Sequence, residues 1–307
     1  MSAGPRGQPP PWDLVAAAWE KYLNTPIEGG QGPESPESQA LQATRIWRFL
    51  DLKKLLSLLH YGALFFSRLD ALGDPHEGEL GGLNKKEREA EANGGDMVLL
   101  QRRWDEEAIV RTQSSAVCCW HMAKAETNHM WGIYGRSGVA IESTIGDCCR
   151  AFRTHRLTLG AKVQYVNWDA HRAEPDHPFA AALFKRDAFE AEAEFRMITP
   201  MLTGDITGSM AIVGAGRSTC AWVEGGDGPP RIVDFRPLAH VMMPGQEMPT
   251  VGPGILVPVD LRQLIRSVRL APGSPPNDLN VMKGLLKKYE LGDVPVLQSE
   301  LDRPPFR

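Results

Sequence analysis

No stretch of the sequence approaches the roughly 18 consecutive apolar residues that a membrane-spanning helix needs, so no membrane span is expected. Basic charge is not in excess either. Its 34 Lys and Arg against 38 Asp and Glu leave a net charge of −4, which excludes a generally basic nucleic-acid-coating protein and a polybasic membrane-surface protein. An anionic ligand must be drawn in by a local cluster, against the field of the whole chain. Cysteine is scarce, five in 307 residues, with Cys118–Cys119 and Cys148–Cys149 adjacent and Cys220 alone. That arrangement lacks the spacing of a disulfide framework, a zinc knuckle or a C-x-x-C redox motif, and reads as buried thiols with no resident metal. G-x-S-x-G and H-E-x-x-H are missing, and the cysteines do not form a zinc-deaminase pair, which disfavours serine hydrolases and the common zinc enzymes. Gly132, Gly135 and Gly138 follow a helical pattern and precede a strand, the reverse of the order that cradles phosphate, so neither a Rossmann nor a P-loop site is supported. Met1 to Pro11 is Pro/Gly-rich without an apolar core, so a signal peptide is not expected and a cytoplasmic location is.

Glycine and proline are plentiful, 54 of 307 residues. Twelve lie in the first 38 residues and thirteen between 225 and 258. Residues 1–43 read as a flexible arm with one short helix, on Trp12, Val15, Ala16, Trp19 and Leu23, and 44–302 as one domain. Within that domain Arg45–Phe49 reads as a strand, Asp51 caps a leucine helix to Tyr61, Gly62 ends it, and Ala63–Ser67 is a second strand. Residues 84–111 hold 13 charges in 28 positions and read as a solvated helical insertion. Strands are expected at Ser115–Trp120, Gly138–Ser143, Lys162–Val166 and Glu194–Thr199, then at Arg231–Phe235, Ala239–Met243, Ile255–Val259, Ser267–Leu270 and Val294–Gln298. Helices are expected near Asn128–Tyr134, Ile145–Phe152, 178–191 and Asn277–Tyr289. The pattern is that of a single α+β domain, a mixed or antiparallel sheet with flanking helices.

Four groups of residues carry chemistry. Arg48 sits in a bulky apolar strand, where an unpaired charge is costly; it is either a buried strut or a bidentate clamp on phosphate or carboxylate. Asp74, His76, Glu77 and Glu79 fall within six positions and read as a turn, or as a metal-dependent nuclease's ligands without a fixed spacing. Trp131 and Tyr134 lie three apart on a helix, as core packing or as a stacking wall for a planar ring. Glu192, Glu194 and Arg196, if extended, share one face opposite Phe195, a device for acid/base or oxocarbenium chemistry; as helix they would be a solvated charged face.

The order Trp47-Arg48-Phe49, the leucine helix, Leu64-Phe65-Phe66-Ser67, Asp74-Pro75-x-Glu77-Gly78, Met130-Trp131-x-x-Tyr134 with Gly138-Val139-Ala140-Ile141, and Lys185 followed by Glu192-x-Glu194-Phe195-Arg196 resembles the bacterial family catalogued as domain of unknown function 2971, over about residues 44 to 302. Arg on a first strand, Ser on a second and Glu-x-Glu opening a later one also resembles the arginine-type (R-S-E) mono-ADP-ribosyltransferases. That second resemblance implies an ADP-ribosyltransferase-like fold and an enzyme that takes NAD as substrate and passes ADP-ribose to a protein or nucleic acid. A bacterial toxin, effector or antiphage factor would fit. By that resemblance Arg48 holds the NAD phosphate or ribose, and Phe66 and Ser67 belong to the strand that braces the site. Trp131 or Tyr134 stacks on nicotinamide, Glu194 binds the ribose hydroxyl and stabilises the transition state, and Glu192 orients the acceptor. The alternative is a non-catalytic binding or regulatory module in which Arg48 pairs with Glu192 or Glu194.

Overall fold

A computed structural model of the chain describes residues 36–92, 96–113, 115–134, 137–153, 158–173, 180–200, 220–224, 231–235 and 252–303. The expected helix at Trp12–Leu23 and strand at Ala239–Met243 lie outside these residues. In chain order the elements are α1 (Pro36–Gln42), β1 (Arg45–Leu50), α2 (Leu52–Tyr61), β2 (Ala63–Arg68), α3 (Gly82–Ala92), α4 (Met97–Gln113) and β3 (Ser115–Met122). Then follow α5 (Asn128–Tyr134), β4 (Val139–Thr144), α6 (Ile145–Ala151), β5 (Thr158–Lys162), β6 (Gln164–Val166), α7 (Ala180–Leu183), β7 (Phe184–Arg186) and β8 (Glu194–Pro200). The chain continues through β9 (Cys220–Glu224), β10 (Arg231–Phe235), β11 (Gly254–Pro258), α8 (Leu261–Leu264), β12 (Ser267–Leu270), α9 (Pro276–Lys288) and β13 (Val296–Leu297). This is an α+β fold on an eleven-stranded mixed sheet, mostly antiparallel, with β5–β9 and β12–β13 parallel; β6 and β7 form a separate two-stranded parallel sheet.

The sheet forks, and the fork places the site. β8 runs beside β3 along nearly its whole length, from Ser115↔Pro200 to His121↔Glu194. On β3's other edge the start pairs with β2, at Val117↔Ser67, and the end pairs with β1, at His121↔Trp47. Cys118 to Trp120 lie between the two ladders. One branch continues as β1-β4-β12-β13, the other as β2-β11. α2 links the two branches. The Asp51 carboxylate accepts from the Lys54 N–H at 2.8 Å to start it, and Gly62 at φ 57° ends it in the left-handed conformation that glycine adopts without a Cβ penalty. Its buried leucines, Leu55, Leu58 and Leu59, join Phe66, Ile141, Val257 and Leu286 in the main core.

β1 is buried on both faces, so its sequence is a continuous bulky run. Ile46 and Leu50 enter the main core, while Trp47 and Phe49 join Met130, Trp131 and Ala140 in a second, smaller one. The charged stretch folds as α3 and α4, and much of its charge is spent in surface pairs such as Arg103–Glu107 at 2.9 Å. The expected helix over 178–191 is corrected. Only Ala180–Leu183 is α-helical; Phe184–Arg186 pairs with β6, and Asp187–Glu192 is a 3-10 turn. The alanines favour helix, but the ion pairs and ring contacts of Lys185 and Arg186 hold the segment extended. Among the described residues no helix is long and apolar enough to cross a membrane.

Candidate active site

Arg48 shares the face of Ile46 and Leu50, and its guanidinium lies in the fork. It donates to the carbonyls of Cys119 at 3.2 Å and Phe65 at 3.4 Å, contacts the Cys118 thiol, and sits 5.8 Å from the Trp120 ring. The fork supplies those acceptors because β1 and β2 diverge over Cys118–Trp120, and a buried carbonyl without a partner is costly. The ion pair of Arg48 with Glu192 or Glu194 is therefore corrected: among the described residues Arg48 pairs with no carboxylate.

Beyond the fork opens a cleft of ≈ 610 Å³, within the size range of small-molecule sites. Arg48, Ser67, Tyr134, Glu192 and Glu194 all line it, with Phe65, Cys119 and His121. Two expected members do not. Phe66 is fully buried against Phe152, because neighbours on a strand face opposite ways and Ser67 and Phe65 take the cleft side. Trp131 is 2% exposed, edge-on to Phe49 at 4.9 Å, and its indole N–H donates to Glu126 at 2.7 Å. It belongs to the smaller core; Tyr134, one turn on, reaches the cleft instead.

One wall of the cleft is a buried ionic cluster. The Lys185 ammonium donates to Glu192 at 2.8 Å and Glu194 at 3.0 Å, and lies 3.5 Å from Glu77. Arg196 bonds Glu194 at 2.7 Å and grips Glu77 with both terminal nitrogens, at 2.8 and 2.9 Å. The backbone brings the two acids of the Glu-x-Glu together. Ala193 between them takes φ 39° and ψ 56°, a left-handed conformation that costs a non-glycine residue about 1 kcal/mol or more. This kink ends the 3-10 turn and starts β8, so Glu192 and Glu194 meet on Lys185 while Phe195 goes to the core. Glu77 is set by Gly78, whose φ of 85° and 2.6 Å approach of a would-be Cβ to Thr112 leave room only for glycine.

The two acids differ in proton affinity. Burial, then the hydrogen bond shared with Glu194, raises Glu192 above the usual carboxyl range. Burial pushes Glu194 the same way, but Arg196 and Lys185 outweigh it and bring Glu194 down to about 2. Lys185 and Arg196 thus serve three carboxyl groups, Glu77, Glu192 and Glu194. Two acids whose proton affinities are driven in opposite directions therefore stand side by side on the cleft wall.

Asp74 and Glu77 are both committed to arginines, Asp74 to Arg186 at 2.8 and 3.1 Å and Glu77 to Arg196. Among the described residues no group of three His, Cys, Asp or Glu is placed to hold a metal ion. Arg196 stands beside Glu194 as the extended pattern predicts, whereas Lys185 enters the sequence reading only as part of the family motif and His121 is given no role by it. The chain matches no protein-family model, no curated protein and no solved structure.

Proposed function

We propose that the cleft binds NAD as substrate and transfers ADP-ribose to a protein or nucleic-acid acceptor. The observation that carries this is the convergence of Arg48, Ser67, Tyr134, Glu192 and Glu194, from four separated segments, on one cleft whose two acids differ in proton affinity. Arg48 uses its donors beyond those given to Cys119 and Phe65 to hold the diphosphate or ribose, as a guanidinium suits. Tyr134, 40% exposed at the cleft edge, offers its ring to nicotinamide, and Ser67 braces the opposite wall. A carboxylate has about four lone-pair sites, so Glu194 still accepts a ribose hydroxyl beside Lys185 and Arg196. Its charge opposes the positive charge that develops on the ribose as the bond to nicotinamide breaks. Glu192 orients the acceptor.

A second reading, a binding cleft without catalysis, is favoured by one observation: both oxygens of Glu194 already accept from cations. Labelled NAD, incubated with pure protein and cell lysate, separates the two. Transfer expects label on an acceptor and free nicotinamide from the wild type, with both reduced about 10²-fold or more in Glu194→Gln. Equal release by the two proteins, or none by the wild type, contradicts it.

A further inference from the structure

His121 has no role in the transfer chemistry set out so far, yet it stands at the cleft wall. It is 4% exposed, and its Nδ1 lies 2.6 Å from the Glu192 carbonyl oxygen. A carbonyl only accepts, so Nδ1 carries the ring proton and Nε2 presents a lone pair. That Nε2 is buried and has no hydrogen-bond partner among the described residues. Buried polar atoms without partners are rare in folded proteins and call for an explanation.

We propose that His121 Nε2 is the base that takes the proton from the acceptor in this reaction. The inference rests on the transfer reading. The acceptor's oxygen or nitrogen bonds the ribose C1′ while the C1′–N bond to nicotinamide breaks. That bond's electron pair returns to the pyridinium ring, nicotinamide leaves neutral, and the acceptor's proton passes to Nε2. The Glu192 carbonyl fixes the tautomer, so the base is tied to the backbone of the residue that orients the acceptor. The neighbouring groups are consistent with a neutral ring. Burial, with His129 nearby, lowers the histidine's proton affinity, and the carbonyl bond only partly opposes this. Glu194 is paired with His121 across the strands, and Glu192, Tyr134, Cys119 and Lys185 share the cleft. Ordinary histidine titrates near 6.5, so a lowered value keeps the base form through neutral pH.

The test compares wild type with His121→Asn and His121→Ala in nicotinamide release and NAD binding. The expected result is NAD affinity within about twofold of wild type, turnover reduced about 10²-fold or more, and partial recovery of His121→Ala in added imidazole. A folded His121→Asn that turns over like wild type overturns the base while leaving the transfer reading standing. A wild type that releases no nicotinamide overturns both. Should both variants fail to fold, imidazole 15N NMR of the wild type decides. A bare Nε2 and protonated Nδ1 at neutral pH support the assignment, and the opposite tautomer overturns it.

Discussion

Two buried carboxylate sites in this molecule are built in opposite ways. Glu126, its side chain 1% exposed, accepts from the Trp131 indole at 2.7 Å, the Ser299 hydroxyl at 2.9 Å and the Glu300 N–H at 2.5 Å, with Arg269 at 3.6 Å. Three of those donors are neutral and tie α5 to the turn at Glu300–Asp302, and Arg269 adds β12. At the cleft, Glu77, Glu192 and Glu194 instead share two cations, and the two members of the Glu-x-Glu hold their protons differently. At Glu126 a single carboxylate has both oxygens filled by fixed donors. A crowded pair of acids beside a cleft has its two proton affinities driven apart. The first site is architecture, and the second has the means for chemistry.

Substitutions that break this contrast have effects of graded size. Arg196→Met leaves Glu77 and Glu194 with Lys185 as their one remaining cation among the described residues and is expected to cost about 3–5 kcal/mol in chemical denaturation. Glu194→Gln acts through pH. The folded value of about 2 lies below the ordinary 4.5, so this carboxylate's contribution to stability is full above pH 4.5 and is lost as pH falls toward 2. Wild type is expected to lose on the order of 2 kcal/mol across that window through this group, and Glu194→Gln to show a flatter acid limb. Trp131→Phe removes one donor from Glu126 and is expected to cost roughly 1.5 kcal/mol in thermal unfolding while leaving NAD binding unchanged. Tyr134→Ala reverses that pattern: stability moves by about 0.5 kcal/mol or less, and NAD affinity falls. Ala193→Gly is the smallest, a gain of up to about 1 kcal/mol from relief of the left-handed backbone, with the Glu192–Lys185–Glu194 contacts kept.

Much of the fold was legible because its signals are local. Asp51 and Gly62 bracket α2 as expected, β12 and α5 have the expected bounds, and the Asp260 side chain caps α8. The 178–191 segment departs from the expected helix because alanine favours helix while Glu77 and Asp74, distant in sequence, hold Lys185 and Arg186 extended, which periodicity does not register. The same limit applies to the site. Arg48, Glu192, Glu194, Ser67 and Tyr134 stand out by residue type and order, but the fork in the sheet, the kink at Ala193 and the unpartnered nitrogen of His121 exist only in three dimensions. Trp131 and Phe66 show the converse. A ring beside the motif is not a ring in the cleft: strand alternation turns Phe66 into the main core, and the helix turns Trp131 into the smaller one.

The central claim is that Arg48, Tyr134 and the Glu192–Glu194 pair form one ligand site. Calorimetric titration of the full chain with NAD tests it most directly. Saturable one-to-one binding that weakens at least about tenfold in Arg48→Met, and is unchanged in Trp131→Phe, is the expected result. Wild type without measurable heat at millimolar NAD, or Arg48→Met binding as tightly as wild type, would contradict it.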